Sequence, residues 1–429
     1  MKKMLLVVPH QDDEINLAGN ILDKLENGYE IFILYSSLDV RKKEGKTRKK
    51  EAYDACEIFG IEKKHIIFLD YPDTPNDVGE HYFTNGNKKI IEDIKNVIYG
   101  IKPELIIATD FDYHSDHRML SIAFDTAIGL ILREQHQYAP IVFKGFCYET
   151  AYYSTEDYKA TQLQKSVDNF EISSNCSYVW KDRISVASND HAKLIWNRKA
   201  YKGLKCHKSQ YAILHAKSII NADNVYWNKR TDNLLFQAKI QSTVGDDIEK
   251  LRDFKIIDTE DIITINPRKI DFSKGVWKTE NKKEKIEIIW DKPVIFDRII
   301  LHGNPNDVKP LKTNIKVMNH NRIIAEFNEI NEFGRNTEKK FQEEKTEKLE
   351  IFICSVKKVG LSEIEILYGN GKIPNIVQDN DEIIIRANKL IDTINEIGYI
   401  FIILKTKILR KLKKWFIKDI GEKNGYINS

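Results

Sequence analysis

The stretch KMLLVVPHQDDEINLAGNILDKLENGYEIFILYSS, residues 3–37, decides the fold. Its apolar start, residues 3–9, predicts a buried strand, residues 15–28 predict an amphipathic helix ending at Gly28, and residues 30–37 predict the next strand. A strand, a helix and a second strand at this spacing are typical of a βαβ unit with parallel strands. The charged cluster at residues 10–14 therefore lies where such sheets bind ligands, beyond the carboxyl end of a strand.

The same alternation continues along the first part of the chain. Residues 46–60 and 88–99 have helical periodicity, and residues 65–70 and 104–109 are short β-rich runs. We therefore predict an α/β fold with a Rossmann-like, mostly parallel sheet that carries helices on both faces.

The pattern changes after residue 261. Short alternating runs such as KIEIIW, DRIILHG and KLEIFIC are separated by charged or Gly/Asn/Pro turns, which predicts an antiparallel β-sandwich of the jelly-roll kind. The end of the chain is helical in pattern and rich in lysine. The predicted domains are 1–261, a catalytic domain, 262–372, a sandwich that either binds carbohydrate or is purely structural, and 373–429, a basic amphipathic tail.

Composition excludes some classes of protein. The 429 residues include 67 Lys and Arg against 64 Asp and Glu, a balance that does not favour nucleic-acid binding through global charge. The five cysteines are dispersed without a CxxC pair, which fits a reducing cytoplasm better than a disulfide framework. The apolar run before His10 is too short for a signal peptide, and no run of about 18 apolar residues occurs. We expect a cytoplasmic protein.

Two charged turns follow predicted strands and hold the residue types of a metal-dependent hydrolase. They are PHQDDE, with His10, Asp12 and Asp13, and HSDH, with His114, Asp116 and His117. A catalytic zinc site takes three protein ligands, commonly two histidines and a carboxylate, and leaves one position to water. Zinc lowers the pKa of that water to about 7, a spare carboxylate can take its proton, and a spare histidine can stabilise an oxyanion. The inventory suits metal-assisted hydrolysis of an amide or an ester.

At these residues the chain resembles the PIG-L/LmbE-like zinc-dependent deacetylases. The family's P/A-H-P-D-D-E motif stands here as residues 9–14 and its H-x-D-H motif as residues 114–117. The resemblance implies that the metal ligands are His10, Asp13 and His117, that Asp12 is the general base, that His114 stabilises the oxyanion or acts as acid, and that Asp116 orients a histidine. It implies zinc, with Fe²⁺ as the alternative that His/carboxylate ligation permits.

Further stretches extend the resemblance over roughly residues 1–240. RKKEAYDACEIFGI and KCHKSQ are similar to later family segments, and Arg48, Asp73 and His207 become weaker candidates for substrate binding. Gln11 departs from the family's proline, which affects the stiffness of the turn rather than the ligand set.

The rest of the chain suggests partners. Residues 266–369 resemble galactose-binding-like jelly rolls of the discoidin and coagulation-factor C type, many of which bind carbohydrate. The tail, with seven basic residues between 405 and 418 among apolar ones, suits either contact with an anionic membrane surface or packing on the enzyme or another subunit.

These patterns together predict a hydrolase that removes the acetyl group from an N-acetylated sugar of the GlcNAc type in a glycan, glycolipid or glycoconjugate. The alternatives are a non-catalytic glycan-binding protein on a deacetylase scaffold, or a hydrolase of another amide or of an ester. The identity of the substrate and the oligomeric state stay open at this point.

Overall fold

The computed structural model describes the whole chain except residues 27, 39–41, 74–87, 113, 136, 148–183, 191–192, 216–222, 244–246, 261–269, 333–336, 375–388 and 426–429. The first part of the chain forms a twisted sheet in the spatial order β3-β2-β1-β4-β5-β7-β6. Its strands are β1 (Lys2–Val8), β2 (Tyr29–Leu38), β3 (Ile66–Pro72), β4 (Leu105–Thr109), β5 (Ile141–Gly145), β6 (Ile184–Ala187) and β7 (Asp223–Lys229).

Strands β1 to β5 are parallel, and β7 pairs antiparallel with both β5 and β6. The helices are α1 (Asp13–Ala18), α2 (Leu22–Leu25), α3 (Lys42–Glu57), α4 (Lys89–Ile101), α5 (Ser115–Glu134) and α6 (Lys199–Leu204). Short 3-10 turns lie at Lys63–His65, Ile195–Asn197, Ala212–His215, Leu234–Gln237, Ile248–Arg252 and Ser273–Gly275. The single helix predicted over residues 15–28 is in fact two short helices, α1 and α2.

Two apolar cores cover the two faces of this sheet. One contains the inner side chains of α1, α3 and α6, and the other contains those of α4 and α5. Strand β1 is buried from Met4 onward, which agrees with its continuous apolar run. The predicted mostly parallel sheet with helices on both faces is therefore confirmed.

The strand order places a topological switch point between β1 and β4. From β1 the chain proceeds outward to β2 and β3 and then returns to β4 on the opposite side of β1. The chain therefore leaves the carboxyl ends of β1 and β4 in opposite directions, and a crevice lies between the two strand ends. Open α/β sheets bind ligands in this position.

The second part of the chain forms an antiparallel β-sheet domain around a core of its own. Its strands are β8 (Lys239–Ser242), β9 (Trp277–Lys278), β10 (Lys283–Gly303), β11 (Leu311–Asn319), β12 (Arg322–Ile330), β13 (Thr337–Cys354) and β14 (Gly360–Leu367). The long strands β10 and β13 change register between Ile289 and Val294 and between Phe296 and Arg298. Such bulges bend long strands and let one strand serve both layers of a sandwich.

The predicted boundary at residue 261 does not coincide with the change of core. Strand β8 already pairs with β10, and Leu235, Ile240 and Leu251 belong to the core of the second domain. Phe254 and Phe272 lie on either side of the predicted boundary and both pack in the core of the first domain. Residues 235–257 therefore contribute side chains to both cores, residues 270–272 contribute to the core of the first domain, and the domain limits stay predictions.

The chain ends in a long helix, α7 (Lys389–Gly425), as the helical pattern of the tail predicts. No helix among the described residues is long and apolar enough to cross a membrane.

Candidate metal centre

The turn after β1 holds the first cluster of candidate residues. The backbone N–H of His10 donates to Asp13 Oδ2 at 3.0 Å, and the Gln11 side-chain amide donates to the Ser37 carbonyl at 2.7 Å. Gln11 is fully buried, so its amide links this turn to the end of β2. The hydrogen bond from Gln11 to Ser37 thus restrains the turn, at the position where a proline would restrain it through its ring.

Asp12 has a strained backbone, with φ 141° at the start of α1. Its N–H donates to Glu14 Oε2 at 2.8 Å, and Glu14 Oε1 lies 2.6 Å from His207 Nε2. Glu14 and His207 are both buried. The Asp12 carboxylate makes no capping hydrogen bond to α1, so this buried pair holds the backbone while leaving the side chain available.

The turn after β4 holds the second cluster, which is organised by Asp112. Asp112 Oδ2 lies 2.8 Å from His117 Nδ1 and accepts the Cys147 N–H at 3.2 Å, and Asp112 Oδ1 accepts the His114 N–H at 3.0 Å. A carboxylate on the second nitrogen of a ligating histidine fixes the tautomer and the orientation of the ring. In this arrangement His117 presents Nε2 to the site.

The two clusters meet at one carboxylate oxygen. Asp13 Oδ2 lies 3.1 Å from His10 Nδ1 and 3.1 Å from His117 Nε2. His10 Nε2 lies 2.9 Å from Asp116 Oδ2, and all four residues are almost completely buried. The structure therefore brings together the three predicted ligands, and it places Asp116 on the ring of His10.

The neighbouring charges in this cluster shift the pKa values of the three predicted ligands. Burial alone would raise the pKa of Asp13, but His117 and His10 hold it well below the usual range. Burial lowers the pKa of His117, yet Asp112 and Asp13 raise it to about 9, and contacts with Asp116 and Asp13 likewise raise the pKa of His10. The carboxylates of this cluster therefore favour positive charge on the groups that face them.

Asp12 and His114 have different electrostatic surroundings from the three ligands. Burial and the neighbouring Asp13 raise the pKa of Asp12 to about 7. Burial and the nearby His10 and His117 lower the pKa of His114 to about 3, so this imidazole is neutral near pH 7. Because His114 Nδ1 accepts the Asp116 N–H at 3.2 Å, the ring proton must lie on Nε2.

Three overlapping groups of side chains could hold a metal ion. They are His10 with His114 and His117, Asp13 with His117 and Cys147, and His10 with Asp73 and Asp116, and within each group the donor atoms lie within 4.8 Å of one another. Among the described residues, Asp13 Oδ1 is buried without a hydrogen-bond partner. An orphaned carboxylate oxygen beside two imidazoles matches the donor set of a divalent metal.

The weaker candidates lie around this centre in different ways. Arg48 Nη1 donates to Asp73 Oδ2 at 2.6 Å, and Asp73 Oδ1 lies 3.9 Å from His10 Nε2. This pair borders the cluster, whereas His207 contacts the cluster only through its hydrogen bond with Glu14. A role in substrate binding stays a prediction for all three residues.

Sequence reasoning missed Asp112 and Cys147 as parts of this centre and left Glu14 without a specific partner. Asp112 precedes the HSDH motif by two residues, and its spacing to His117 was the available signal. Cys147 lies two residues after β5, where no motif marks it, and the Glu14–His207 pair spans 193 positions of the chain.

The doubly wound sheet and the His/Asp cluster at its switch point define a Rossmann-like domain with a candidate metal centre. Residues 5–128 match the family model described as PIG-L, GlcNAc-PI de-N-acetylase, so the chain contains a PIG-L family domain, and the resemblance seen in the motifs is confirmed. The N-acetylglucosaminyl-phosphatidylinositol de-N-acetylase of Bos taurus is 32% identical over 76 residues, which are 18% of this chain and 30% of that protein. The chain thus spans less than a third of the length of this curated relative.

Several solved structures are distantly similar. GalB, the 4-carboxy-2-hydroxymuconate hydratase of Pseudomonas putida, is 19% identical, with 49% of this chain and 80% of that chain covered and a TM-score of 0.34. For N,N'-diacetylchitobiose deacetylase of Pyrococcus horikoshii the identity is 19%, the coverage 33% and 60%, and the TM-score 0.27. The family 32 CBM from Clostridium perfringens NanJ in complex with galactose is 12% identical, with coverage of 30% and 93% and a TM-score of 0.23.

Proposed function

We propose that this protein hydrolyses the acetamide of an N-acetylated sugar of the GlcNAc type, using a divalent metal held by His10, Asp13 and His117. The observation that carries the proposal is the meeting of both imidazoles at Asp13 Oδ2, next to an Asp12 carboxylate that the helix does not engage. The PIG-L match over residues 5–128 covers both turns and supports deacetylation as the reaction.

The donor set fits zinc, and Fe²⁺ is the alternative. Two imidazoles and a carboxylate suit both ions, and the buried, unpartnered Asp13 Oδ1 leaves a coordinating oxygen available. A bound metal of this kind polarises a carbonyl oxygen and activates water at neutral pH. Asp112 and Asp116 would hold His117 and His10 in the orientations that coordination requires.

The remaining groups move or hold protons. Asp12 is 6% exposed at the edge of the cluster, and a pKa of about 7 suits a carboxylate that accepts a proton from water near neutral pH. Neutral His114 carries its proton on Nε2, from which it can donate a hydrogen bond to the oxygen that gains negative charge as the acetamide is attacked. Acetate and the free amine of the sugar are the products.

Acetate release from the full-length protein tests this proposal. Free N-acetylglucosamine, its oligosaccharides and its nucleotide-linked and lipid-linked conjugates would be supplied with and without a chelator, and acetate and new amine would be measured together. Equal amounts of both, lost on chelation and restored by Zn²⁺ or Fe²⁺, are expected for one class of conjugate. Glycan binding without acetate release would instead support a non-catalytic scaffold, and hydrolysis only of acetate esters would overturn the assignment to an amide.

We propose that the second domain binds a glycan in a cavity of about 540 Å³ at one end of its sheet. The lining side chains include several that can hydrogen-bond sugar hydroxyls: Lys278, Asn304, Asn306, Asp307, Lys309 and Lys358. Loss of glycan binding in Asp307→Ala, with acetate release from a monosaccharide conjugate retained, is the expected result. Unchanged glycan affinity would favour a purely structural domain.

A further inference from the structure

The C-terminal helix is held against the first domain by one of its faces. The Asn395 side chain accepts the Ile195 N–H at 2.8 Å, and Tyr399 and Ile402 pack against the apolar core under α1 and α3. Further along, the Arg410 guanidinium and the Lys413 ammonium lie 5.3 and 5.9 Å from the centre of the Tyr211 ring. These contacts fix the rotation of the helix about its axis from residue 395 to residue 413.

The side of the helix turned away from that contact carries a stripe of large apolar side chains. They recur every three or four residues and are each between 38% and 67% exposed: Ile394, Ile397, Phe401, Leu404, Ile408 and Leu412. At 3.6 residues per turn, all six fall within a sector roughly 80° wide and extend over about 27 Å. We name this set the apolar stripe.

A continuous exposed apolar stripe of this length indicates a contact surface. Single exposed apolar residues are normal on a protein surface, but a contiguous patch marks a site of protein or membrane contact. The charges around the stripe distinguish the two. Residues 397–418 contain seven basic residues and no acidic one. Exposed Lys405 flanks one edge of the stripe, and exposed Lys407 and Lys411 flank the other.

We propose that the C-terminal helix docks this protein on an anionic lipid surface, with the apolar stripe lying in the interface between headgroups and acyl chains. The flanking lysines then meet the lipid phosphates, which is the arrangement of interfacial amphipathic helices. A second copy of the chain suits the stripe less well, because pairing two such faces along residues 397–418 would bring the lysines of both helices together with no carboxylate in that part of either helix. This docking does not depend on the proposed deacetylation.

The docking helix also touches a segment that supports the candidate metal centre. Tyr211, under Arg410 and Lys413, is four residues after His207, which bonds to Glu14 beneath the Asp12 turn. Ser209, between them, donates both its N–H and its hydroxyl to Glu51 of α3. The face of the first domain that receives the helix is thus built on residues that also support the Asp12 turn.

Vesicle flotation of the full-length protein tests this docking. Phosphatidylcholine vesicles with and without phosphatidylglycerol would be compared at low and high salt. We expect binding to the anionic vesicles that falls at high salt, and at least about tenfold weaker binding for the triple variant Phe401→Gln, Leu404→Gln, Ile408→Gln. The matched control, Ile295→Gln, Ile323→Gln, Val356→Gln, changes three exposed apolar residues of the second domain that do not line its proposed glycan cavity, and it should bind like the unmodified protein.

Two results would overturn the docking proposal. One is equal binding of the triple variant and the unmodified protein to anionic vesicles, with both folded by thermal melt. The other is that the unmodified protein does not bind anionic vesicles. In that case, a dimer seen by light scattering for the unmodified protein but not for the triple variant would identify a second copy of the chain as the partner. Acetate release from a water-soluble substrate should be the same for all three proteins, so the failure of docking and the failure of the proposed reaction are seen separately.

Discussion

Asp112→Asn is the substitution that most directly tests how the candidate metal centre is organised. Asp112 is not in either family motif, yet its carboxylate contacts the His117 ring and accepts the backbone N–H groups of Cys147 and His114. Asparagine keeps the shape and loses the negative charge. The variant therefore asks whether the orientation and basicity of His117 depend on this charge.

The expected magnitude follows from the hydrogen bonds at Asp112. A hydrogen bond to a charged group contributes about 1.5–3 kcal/mol, against about 0.5–1.5 kcal/mol for a neutral one. Losing the charge at His117 alone thus costs about 1 kcal/mol or slightly more, roughly a tenfold change. The weakened bonds to Cys147 and His114 add to this, so metal affinity should fall about 10–100-fold, as is usual when a carboxylate behind a ligating histidine is changed.

The assay is competition for Zn²⁺ against a chromophoric chelator, with the thermal melt recorded on the same samples. Asp93→Asn is the matched control, because Asp93 accepts a hydrogen bond from Tyr71 at 2.7 Å and lies outside the cluster. The control should keep the Zn²⁺ affinity of the unmodified protein. If Asp112→Asn also kept that affinity while folded, the carboxylate would not be positioning His117 for a metal.

Three further results are expected. Asp12→Asn should retain metal while its kcat for acetate release falls about 10²–10⁴-fold. His10→Ala should lose both activity and metal, so metal analysis together with kinetics separates the two variants. Gln11→Ala should lower stability by about 1–3 kcal/mol in urea unfolding, because the buried Ser37 carbonyl loses its donor, and an unchanged midpoint would contradict a linking role for Gln11. Burial and the nearby Asp253 raise the pKa of Glu363, and burial raises the pKa of Asp253 to about 6. In the folded protein these two carboxyl groups therefore keep protons that they lose near pH 4 in the unfolded chain. Stability from this pair should therefore fall as pH rises from about 4 through 6 and beyond. Glu363→Gln should raise Tm more at pH 8 than at pH 5, while Glu347→Gln, at an exposed position, should give no such difference.

The parts of the fold that depend on local periodicity were predictable. Strand β1 is a continuous apolar run, and the alternation of strands and helices gives the parallel sheet and its ligand-binding edge. The break between α1 and α2 was missed, although Gly19 and Asn20 lie at it. Strand β8 was missed as part of the second sheet because its four residues, KIQS, are too short to form a pattern.

The parts of the site that depend on long-range contacts were not predictable. Two motifs identified six residues, because motif spacing is a local property of the chain. The partner of Glu14 is His207, and the backbone N–H of Cys147 reaches Asp112 across 35 positions. Only the register of β4 and β5 and the course of the chain around α6 bring these groups together. The role of Gln11 likewise required the position of Ser37 at the end of the neighbouring strand.

The energetic costs in the Asp12 turn indicate function independently of the motifs. Asp12 holds a positive φ of 141°, which costs a non-glycine residue of order 1–3 kcal/mol. Among the described residues, Asp13 Oδ1, Gln11 Oε1 and His207 Nδ1 are buried without hydrogen-bond partners, although buried polar atoms are normally satisfied. A turn whose only task was to connect β1 to α1 could avoid all of these costs with ordinary loop residues. The strained backbone and the unsatisfied polar atoms are concentrated in residues 11–13 and in His207, which contacts this turn through Glu14. Such a concentration is expected where a fold keeps donor atoms and a carboxylate available for a metal and a substrate.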